Sequence, residues 1–361
     1  MRRVFILSAS LESGGAERQL AVMANHWAAA GSDVELATWT GAGVADFFAL
    51  DARVRRTHFD VPLFPPPFAA LRNLLARVAR LRERLRQARP DVLVSFITET
   101  NVIALLAARG LPIRVVVSER AHPQLDDTIS RPLRMLRRIL YRRAAAVVTQ
   151  TEAAAGWVRE HCVANVAVVP NTLRESAANE SPREPLLLAV GRLRKQKGFD
   201  LLLRAFARLD PPAPWRLVIV GEGPEHAALQ ALRNSLRLGD RVEFRGVERD
   251  IARWMARAGI VVAPSRFEGF PNVVLEAMAE GAPVISADCL AGPSEMITDG
   301  VDGLLVPVED VGALATAIGR LIRDADERAR LGRAARTVRT RYSTETVMPL
   351  WNEIVFAGRR P

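Results

Sequence analysis

The sequence predicts two α/β domains, each built on a doubly wound parallel sheet of the Rossmann type. Three observations lead there. The chain has 361 residues, 49% of them apolar, enough for two cores at roughly 100–200 residues per domain. Short β-branched or apolar runs alternate with helix-like segments along its whole length, the pattern of parallel sheets with crossover helices. The pattern restarts after a polar stretch, 175–185, which reads Glu-Ser-Ala-Ala-Asn-Glu-Ser-Pro-Arg-Glu-Pro and is expected to be a linker.

In the first domain, 1–174, strands are predicted over 4–8, 34–38, 92–96, 114–118 and 146–149, with a helix over 16–30 that stops at Gly31. In the second domain, 186–340, strands are predicted over 186–190, 216–220, 242–245, 260–263 and 284–286. The final segment, 341–361, is expected to be a helix packing back on the first domain. Two such halves are predicted to face across a cleft, with ligands at the carboxyl ends of the strands. No internal repeat is visible in the sequence.

Composition narrows the class. Disorder and a disulfide-stapled scaffold are excluded, because Cys162 and Cys289 are the only cysteines and stand far apart. A reducing cytoplasm is the expected setting. The apolar run at 4–7 is too short for a signal peptide, and no stretch reaches the roughly 18–20 apolar residues that cross a bilayer, so membrane contact is expected to be peripheral. Net charge is +10, of which residues 1–175 carry +8. That asymmetry points to an anionic partner or to an arginine-rich composition alone. Two arginine-rich segments, 71–89 and 131–143, have helical spacing. They fit either interfacial helices on anionic lipid or ordinary helices covering a sheet with arginine outside.

Four loops that follow strands carry the chemistry. Ser13-Gly14-Gly15-Ala16-Glu17-Arg18 opens into a helix, where paired glycines admit backbone amides to a ligand and the helix N-terminus favours an anion. It lacks a phosphate-loop signature, so a plain tight turn fits as well. Gly191-Arg192-Leu193-Arg194-Lys195-Gln196-Lys197-Gly198 places four cations between glycines and contains both lysines of the chain. Arginine forks a phosphate, lysine is a compact point charge, and a diphosphate can use both. The third loop, from Ser265 through Arg266, Phe267, Glu268, Gly269, Phe270 and Pro271 to Asn272, Val273 and Glu276, runs into a buried helix ending at Gly281. Pro271 is expected in its first turn. Glu268 and Glu276 would then reach different parts of one ligand, or form an acid/base pair of the kind glycosidases use. The fourth, Ala291-Gly292-Pro293-Ser294-Glu295, adds a small-residue turn at the same sheet edge.

In this order, Gly14-Gly15-Ala-Glu-Arg, Gly191-Arg192 with Lys197-Gly198, Gly221-Glu-Gly223-Pro, Glu268-x7-Glu276 and Gly292-Pro-Ser-Glu295 resemble the family 4 retaining glycosyltransferases of GT-B fold. The match is strong over 186–310. It is looser over 1–175, where Ser118-Glu119-Arg120 and Val169-Pro170-Asn171 are similar to bacterial polysaccharide and lipid-linked oligosaccharide enzymes.

The resemblance implies that the second domain binds a nucleotide sugar, UDP-linked, carrying a hexose or N-acetylhexosamine. Arg192 and Lys197 would grip the diphosphate and Glu276 the ribose hydroxyls. Glu268, with Gly269 to Val273, would meet the donor sugar, and Arg245 to Val247 the base. Gly14, Gly15, Arg18, Glu119 and Arg120 would serve the acceptor side, Gly15 also closing on the diphosphate. His122 is a candidate sugar-side residue, and which of Glu119, Arg120 and His122 fills that role is open. Lys197, Arg192, Glu268 and His122 are the catalytic candidates. No Asp-x-Asp metal ligand pair, metal, cofactor or nucleic acid is expected, because cations can neutralise the leaving diphosphate. The expected acceptor is a lipid-linked or polysaccharide glycan of the cell envelope. A nucleotide-sugar epimerase and a non-catalytic nucleotide-sugar-binding protein are the alternatives.

Overall fold

The central strands of both sheets are buried on both faces, which is why they read as mainly apolar runs rather than alternating ones. The computed structural model describes residues 2–12, 14–62, 69–124, 129–174, 182–209, 214–248 and 250–357. The chain divides into two compact units, Met1–Thr172 with Thr344–Pro361, and Leu173–Ser343.

The first unit contains β1 (Arg3–Ser8), β2 (Asp33–Thr38), β3 (Arg55–His58), β4 (Val92–Phe96), β5 (Arg114–Ser118), β6 (Ala146–Thr149) and β7 (Val166–Val168). Its described helices are α1 (Gly15–Ala29), α2 (Ala70–Ala88), α3 (Thr98–Ala107), α4 (Arg131–Leu140) and α5 (Glu152–Cys162). The strands form one parallel sheet in the order β3-β2-β1-β4-β5-β6-β7. Successive residues of β1 point to opposite faces, Val4 and Ile6 into one core and Phe5 and Leu7 into the other.

The second unit contains β8 (Glu184–Val190), β9 (Arg216–Val220), β10 (Val242–Arg245), β11 (Ala258–Ala263), β12 (Val284–Ala287) and β13 (Leu304–Val306). Between and after them run α6 (Phe199–Ala207), α7 (His226–Ser235), α8 (Ile251–Arg257), α9 (Asn272–Ala279), α10 (Pro293–Met296), α11 (Val311–Arg323), α12 (Ala325–Ala335) and α13 (Val338–Arg341). Its parallel order, β10-β9-β8-β11-β12-β13, repeats the first six positions of the other sheet, a likeness the sequence does not display. In each sheet the order reverses direction once, between β1 and β4 or between β8 and β11. Ligands of doubly wound sheets bind at that switch point.

The last helix, α14 (Thr344–Val355), belongs to the first unit. Trp351 is fully buried and stacks on Phe96 at 5.8 Å, while Asn352 accepts a 2.7 Å hydrogen bond from the Trp27 indole.

Three strands carry no signal in the sequence. β3, Arg-Arg-Thr-His, is an edge strand held by charge: Arg55 pairs with Asp33 at 2.6 Å and Arg56 with Asp46 at 2.7 Å. β7 and β13 have three residues each, too few for a periodic pattern. The linker is shorter than expected, since Glu184 and Pro185 already belong to β8; 175–181 lie outside the described residues. Pro271 caps α9 rather than entering its first turn.

The arginines of α2 are mostly internal fasteners. Arg77 is buried against Glu99 at 2.7 Å and the Pro62 carbonyl, Arg82 donates to the Ala107 and Arg109 carbonyls, and Arg84 grips the Glu35 carboxylate with both arms at 2.7 and 2.8 Å. This helix covers the sheet as one reading expected, but with Arg77, Arg82 and Arg84 turned inward rather than outside. The exposed face of α4 is different: Met135 and Ile139 stand 66% and 39% exposed among arginines. Among the described residues no helix is long and apolar enough to cross a membrane.

Candidate active site

At the switch point of the second unit, three loops are locked together. The chain leaves β8 at Gly191, dips Leu193 fully into the core, makes a 3-10 turn over Lys195–Lys197 and enters α6 through Gly198. Gly198 is in the left-handed region, φ +67°, and a Cβ there would collide with the Pro264 carbonyl. Only glycine lets the loop after β8 lie directly on the loop after β11. On the other side, Gly191 N donates to Val220 O at 3.0 Å and Leu193 N to Glu222 O at 2.8 Å.

Hydrogen bonds complete the lock. Arg266 N donates to Gln196 O at 2.8 Å and Gln196 Nε2 to Phe267 O at 2.9 Å. The Arg266 guanidinium forks Asp200 at 2.8 Å on both oxygens and reaches Glu309 at 2.7 Å. Those bonds, the one to Asp200 foremost, raise its pKa. Nothing in the sequence marks this knot, because its members look like scattered surface charges.

A further ion pair joins the same two loops. Lys197 Nζ donates to Glu268 Oε1 at 2.6 Å, and Ser265 Oγ donates to the same oxygen at 2.6 Å. The two charged side chains are 21% and 10% exposed. The Lys197 stem lies against Gly191, which lines a neighbouring cavity of about 580 Å³. That cavity is bounded by Val190, Arg192, Gly221, Gly223, Val247 and Ile251 among others, so it spans the ends of β8, β9 and β10. Arg192 and Arg194 lie at its rim, both exposed.

Other expected donor residues divide. Val247 lines the cavity, whereas Arg245 turns away to Glu243 at 2.6 Å, Glu248 at 3.2 Å and the Trp254 ring at 4.8 Å. Phe270 is a core residue, edge-on to Tyr342 at 6.2 Å. Pro271 abuts Gly292, where a Cβ would lie 2.6 Å from the Pro271 ring, so the third and fourth loops are in contact. Gly269, Asn272 and Val273 are half-buried between Glu268 and the first turn of α9. Glu276, half-buried on α9, lines a small cavity with Leu173, Ile251 and Glu280. Ile251 borders both cavities. The two glutamates therefore face different neighbours.

In the first unit, Gly14 caps α1, Gly15 begins it, and the Glu17 carboxylate folds back over Gly14. Glu17 occupies the third helical position, the one from which a carboxylate covers the free amides. The expected anion-favouring helix end is thus already faced by a negative charge. Arg18 donates to Thr172 O at 3.3 Å. Arg120 donates to Asn171 Oδ1 and lies over the Phe96 ring at 4.5 Å. Burial pushes its pKa down to about 9, against the pull of Glu17.

Glu119 is buried in a polar network. It accepts from Thr98 Oγ1 at 2.8 and 2.9 Å and from the Tyr141 hydroxyl, with Arg137 3.9 Å away. Burial and this carboxylate raise the Tyr141 pKa. His122 is buried rather than solvated: its Nδ1 accepts from Gln124 N at 3.3 Å, and burial lowers its pKa.

Contrary to expectation, the chain holds an Asp-x-Asp sequence, Asp324-Ala325-Asp326. It lies at the start of α12, where Asp324 caps the helix by accepting from Glu327 N at 2.8 Å, away from the carboxyl ends of the strands that carry the candidate site. Among the described residues no cluster of three or more His, Cys, Asp or Glu is arranged for a metal.

Two parallel-sheet units, with a cation-bearing glycine loop at a switch point, define a protein of the paired-Rossmann class. Residues 14–172 match the family described as "Glycosyl transferase 4-like domain", and residues 184–324 match "Glycosyl transferases group 1". The chain belongs to this glycosyltransferase family, the one its motifs resemble. It is 31% identical over 394 residues to an exopolysaccharide phosphotransferase of Streptomyces coelicolor, covering 98% of this chain but only 40% of that protein. It is 27% identical to the GalNAc-α-(1→4)-GalNAc-α-(1→3)-diNAcBac-PP-undecaprenol α-1,4-N-acetyl-D-galactosaminyltransferase of Campylobacter jejuni, over 92% of both chains. Among solved structures, Anabaena HepE in complex with UDP and glucose superposes with a TM-score of 0.78 at 20% identity, over 99% of this chain and 100% of that one. The fold is GT-B.

Proposed function

We propose that the protein is a retaining, metal-independent glycosyltransferase that moves a hexose or N-acetylhexosamine from a UDP-sugar to a lipid-linked or polysaccharide acceptor of the cell envelope. The observation that carries the reading is the Lys197–Glu268 pair, held by three loops beside a 580 Å³ cavity at the switch point. In this reading Lys197 and Arg192 meet the negative charge that grows on the leaving diphosphate, which is electrostatic stabilisation of a transition state. Glu268 fixes the ammonium and meets the donor sugar, and Glu276 takes the ribose hydroxyls. The leaving phosphate itself accepts the acceptor proton, so no enzymic nucleophile or cofactor is needed. The undecaprenol-linked substrate of the Campylobacter relative supports a lipid-linked acceptor, and the HepE complex supports UDP.

The exposed cationic and apolar face of α4 supports docking on the anionic inner surface of the cell membrane, where such an acceptor resides. Sedimentation with anionic vesicles should fall in high salt, and equal binding to neutral vesicles defeats the docking idea. The function itself is tested by incubating the protein with a panel of nucleotide sugars, with and without lipid extract, and following products by mass spectrometry. Donor consumption that requires lipid, with an α-linked product, is expected. Isomerised donor without acceptor would indicate an epimerase, and binding without consumption would remove the enzymatic reading altogether.

A further inference from the structure

The opposite edge of the second sheet carries a second cationic hollow. Arg183 immediately precedes β8, Ala258 begins β11 and Gly281 precedes β12, so this region lies at the amino ends of the strands. The seven residues of β8 separate it from the Lys197 loop by about 20 Å at roughly 3.3 Å per residue. Here α12 presses backbone to backbone on the turn after α9: a Cβ on Gly332 would collide with the Gly281 carbonyl, and Gly281 has φ +69°. Above this floor of Gly281, Gly332, Ala325 and Ala329 opens a cavity of about 360 Å³ walled by Arg183, Arg328, Arg333 and Arg336.

No lining residue is acidic. Two of the guanidiniums are aimed by neutral carbonyls, which fix direction without cancelling charge. Arg183 donates to Met255 O at 3.1 Å, Ala258 O at 2.8 Å and Glu280 O at 2.7 Å, and Arg328 to Leu321 O and, at 3.0 Å, to Ile322 O. The Arg333 and Arg336 side chains make no hydrogen bond or ion pair with any described residue. The nearby acids have other contacts, although the charges of Glu280 and Asp324 still reach Arg183 and Arg328. Glu280 is buried toward Arg339 at 3.8 Å, Asp324 caps α12, and Glu184 pairs with Arg257 at 2.6 Å. Desolvation of its guanidinium and the like charge of Arg336 push Arg183 down to about 10, with Glu280 opposing.

We propose that this hollow is a binding site for a small anion bearing two or more phosphate charges, separate from the donor site. The two uncommitted forks of Arg333 and Arg336, beside the carbonyl-anchored charges of Arg183 and Arg328 over a glycine and alanine floor, suit phosphate oxygens, which guanidinium pairs hold bidentately. The concave shape, at the lower end of the roughly 300–1,000 Å³ of ligand pockets, favours a small molecule over a flat surface.

The test uses inorganic pyrophosphate as probe, with binding to the full chain measured by calorimetry at near-physiological salt. Because the Lys197 loop is itself expected to take a diphosphate, an Arg192→Ala/Lys197→Ala chain isolates the new site and should retain one pyrophosphate. Adding Arg333→Ala/Arg336→Ala should weaken that binding about 10²-fold, roughly tenfold for each charge-assisted hydrogen-bonding arginine removed. UDP binding by the Arg333→Ala/Arg336→Ala chain should match wild type, which shows that the fold is intact. Absence of pyrophosphate binding in the Arg192→Ala/Lys197→Ala chain would overturn the proposal. So would binding indifferent to Arg333 and Arg336, equal affinity for sulfate, or arginine-dependent capture of anionic vesicles without pyrophosphate binding.

Discussion

Replacing Lys197 by alanine separates the role that the ion pair shows from the one the proposed function gives to the same ammonium. In the folded protein Lys197 neutralises Glu268, to which it donates at 2.6 Å, and in the proposed function it also faces the diphosphate. Loss of a preorganised partner for developing charge lowers kcat by about 10²–10³-fold, or roughly 2.7–4 kcal/mol. The substitution also leaves the Glu268 carboxylate, about nine-tenths buried, with the Ser265 hydroxyl still donating to it beside the same developing charge. A carboxylate ~6 Å from a phosphate oxygen at an effective dielectric of about 20 repels it by up to ~2.8 kcal/mol. The fall in Lys197→Ala should therefore exceed the first figure by about tenfold or more.

The assay is the initial rate of nucleoside diphosphate release, with KM from donor titration, in Lys197→Ala, Glu268→Gln and the double variant. Removing the stranded charge in the double variant should recover the repulsive part, about tenfold, and leave the 10²–10³-fold deficit. Full recovery would show that Lys197 only neutralises Glu268. A raised KM with unchanged kcat in Lys197→Ala would show uniform binding rather than transition-state stabilisation.

Other outcomes follow from particular interactions. Glu276→Gln should raise the donor KM about tenfold with kcat held, since a ribose hydrogen bond is made alike in ground and transition states; a collapse of kcat at fixed KM would restore the acid/base pairing of Glu268 and Glu276. His122 has its pKa lowered, first by burial and also by Arg137, with the Ala153 backbone opposing. Stability from its neutral form is full above the ordinary value of about 6.5 and is lost as pH falls toward the lowered folded value, so His122→Gln should shrink the drop in Tm between about pH 7 and pH 5. Trp351→Ala, at a fully buried site, should destabilise the first unit by about 3–5 kcal/mol in a denaturant titration while UDP affinity stays at the wild-type value.

How far the sequence can be read depends on whether the physical signal is local. The strands at 92–96, 114–118, 146–149 and 216–220 coincide with β4, β5, β6 and β9, because double-sided burial demands a nearly continuous apolar run, and the one at 242–245 coincides with β10, an edge strand with alternating Val-Glu-Phe-Arg. β3 is invisible in the sequence because its stabilisation is pairwise: Arg55 and Arg56 make sense only beside Asp33 and Asp46. The same division runs through the site. The glycines and cations of 191–198 are legible, since their types announce close backbone approach and anion binding. Ser265, Gln196 and the Arg266–Asp200 fork are not, because each is an ordinary surface residue until the fold brings the loop after β8 against the loop after β11. Glu119 shows the opposite error. A polar residue at a strand end looks available for a ligand, yet Thr98 and Tyr141 have already claimed it.

The choice of lysine at 197 can itself be tested. A chain with only two lysines, at 195 and 197, uses arginine wherever a fork has room, so lysine at this point reflects shape as well as charge. The stem runs along Gly191, where an added Cβ would lie 3.3 Å from Lys197 Cε, and the ammonium ends against one oxygen of Glu268. A planar guanidinium prefers two aligned acceptors and would seat itself across both Glu268 oxygens. Lys197→Arg should therefore keep the charge and misplace it, with kcat falling about tenfold, less than in Lys197→Ala, and donor KM little changed. If Lys197→Arg turns over at the wild-type rate, net charge alone is what this position supplies, and the packing of its stem on Gly191 has no part in catalysis.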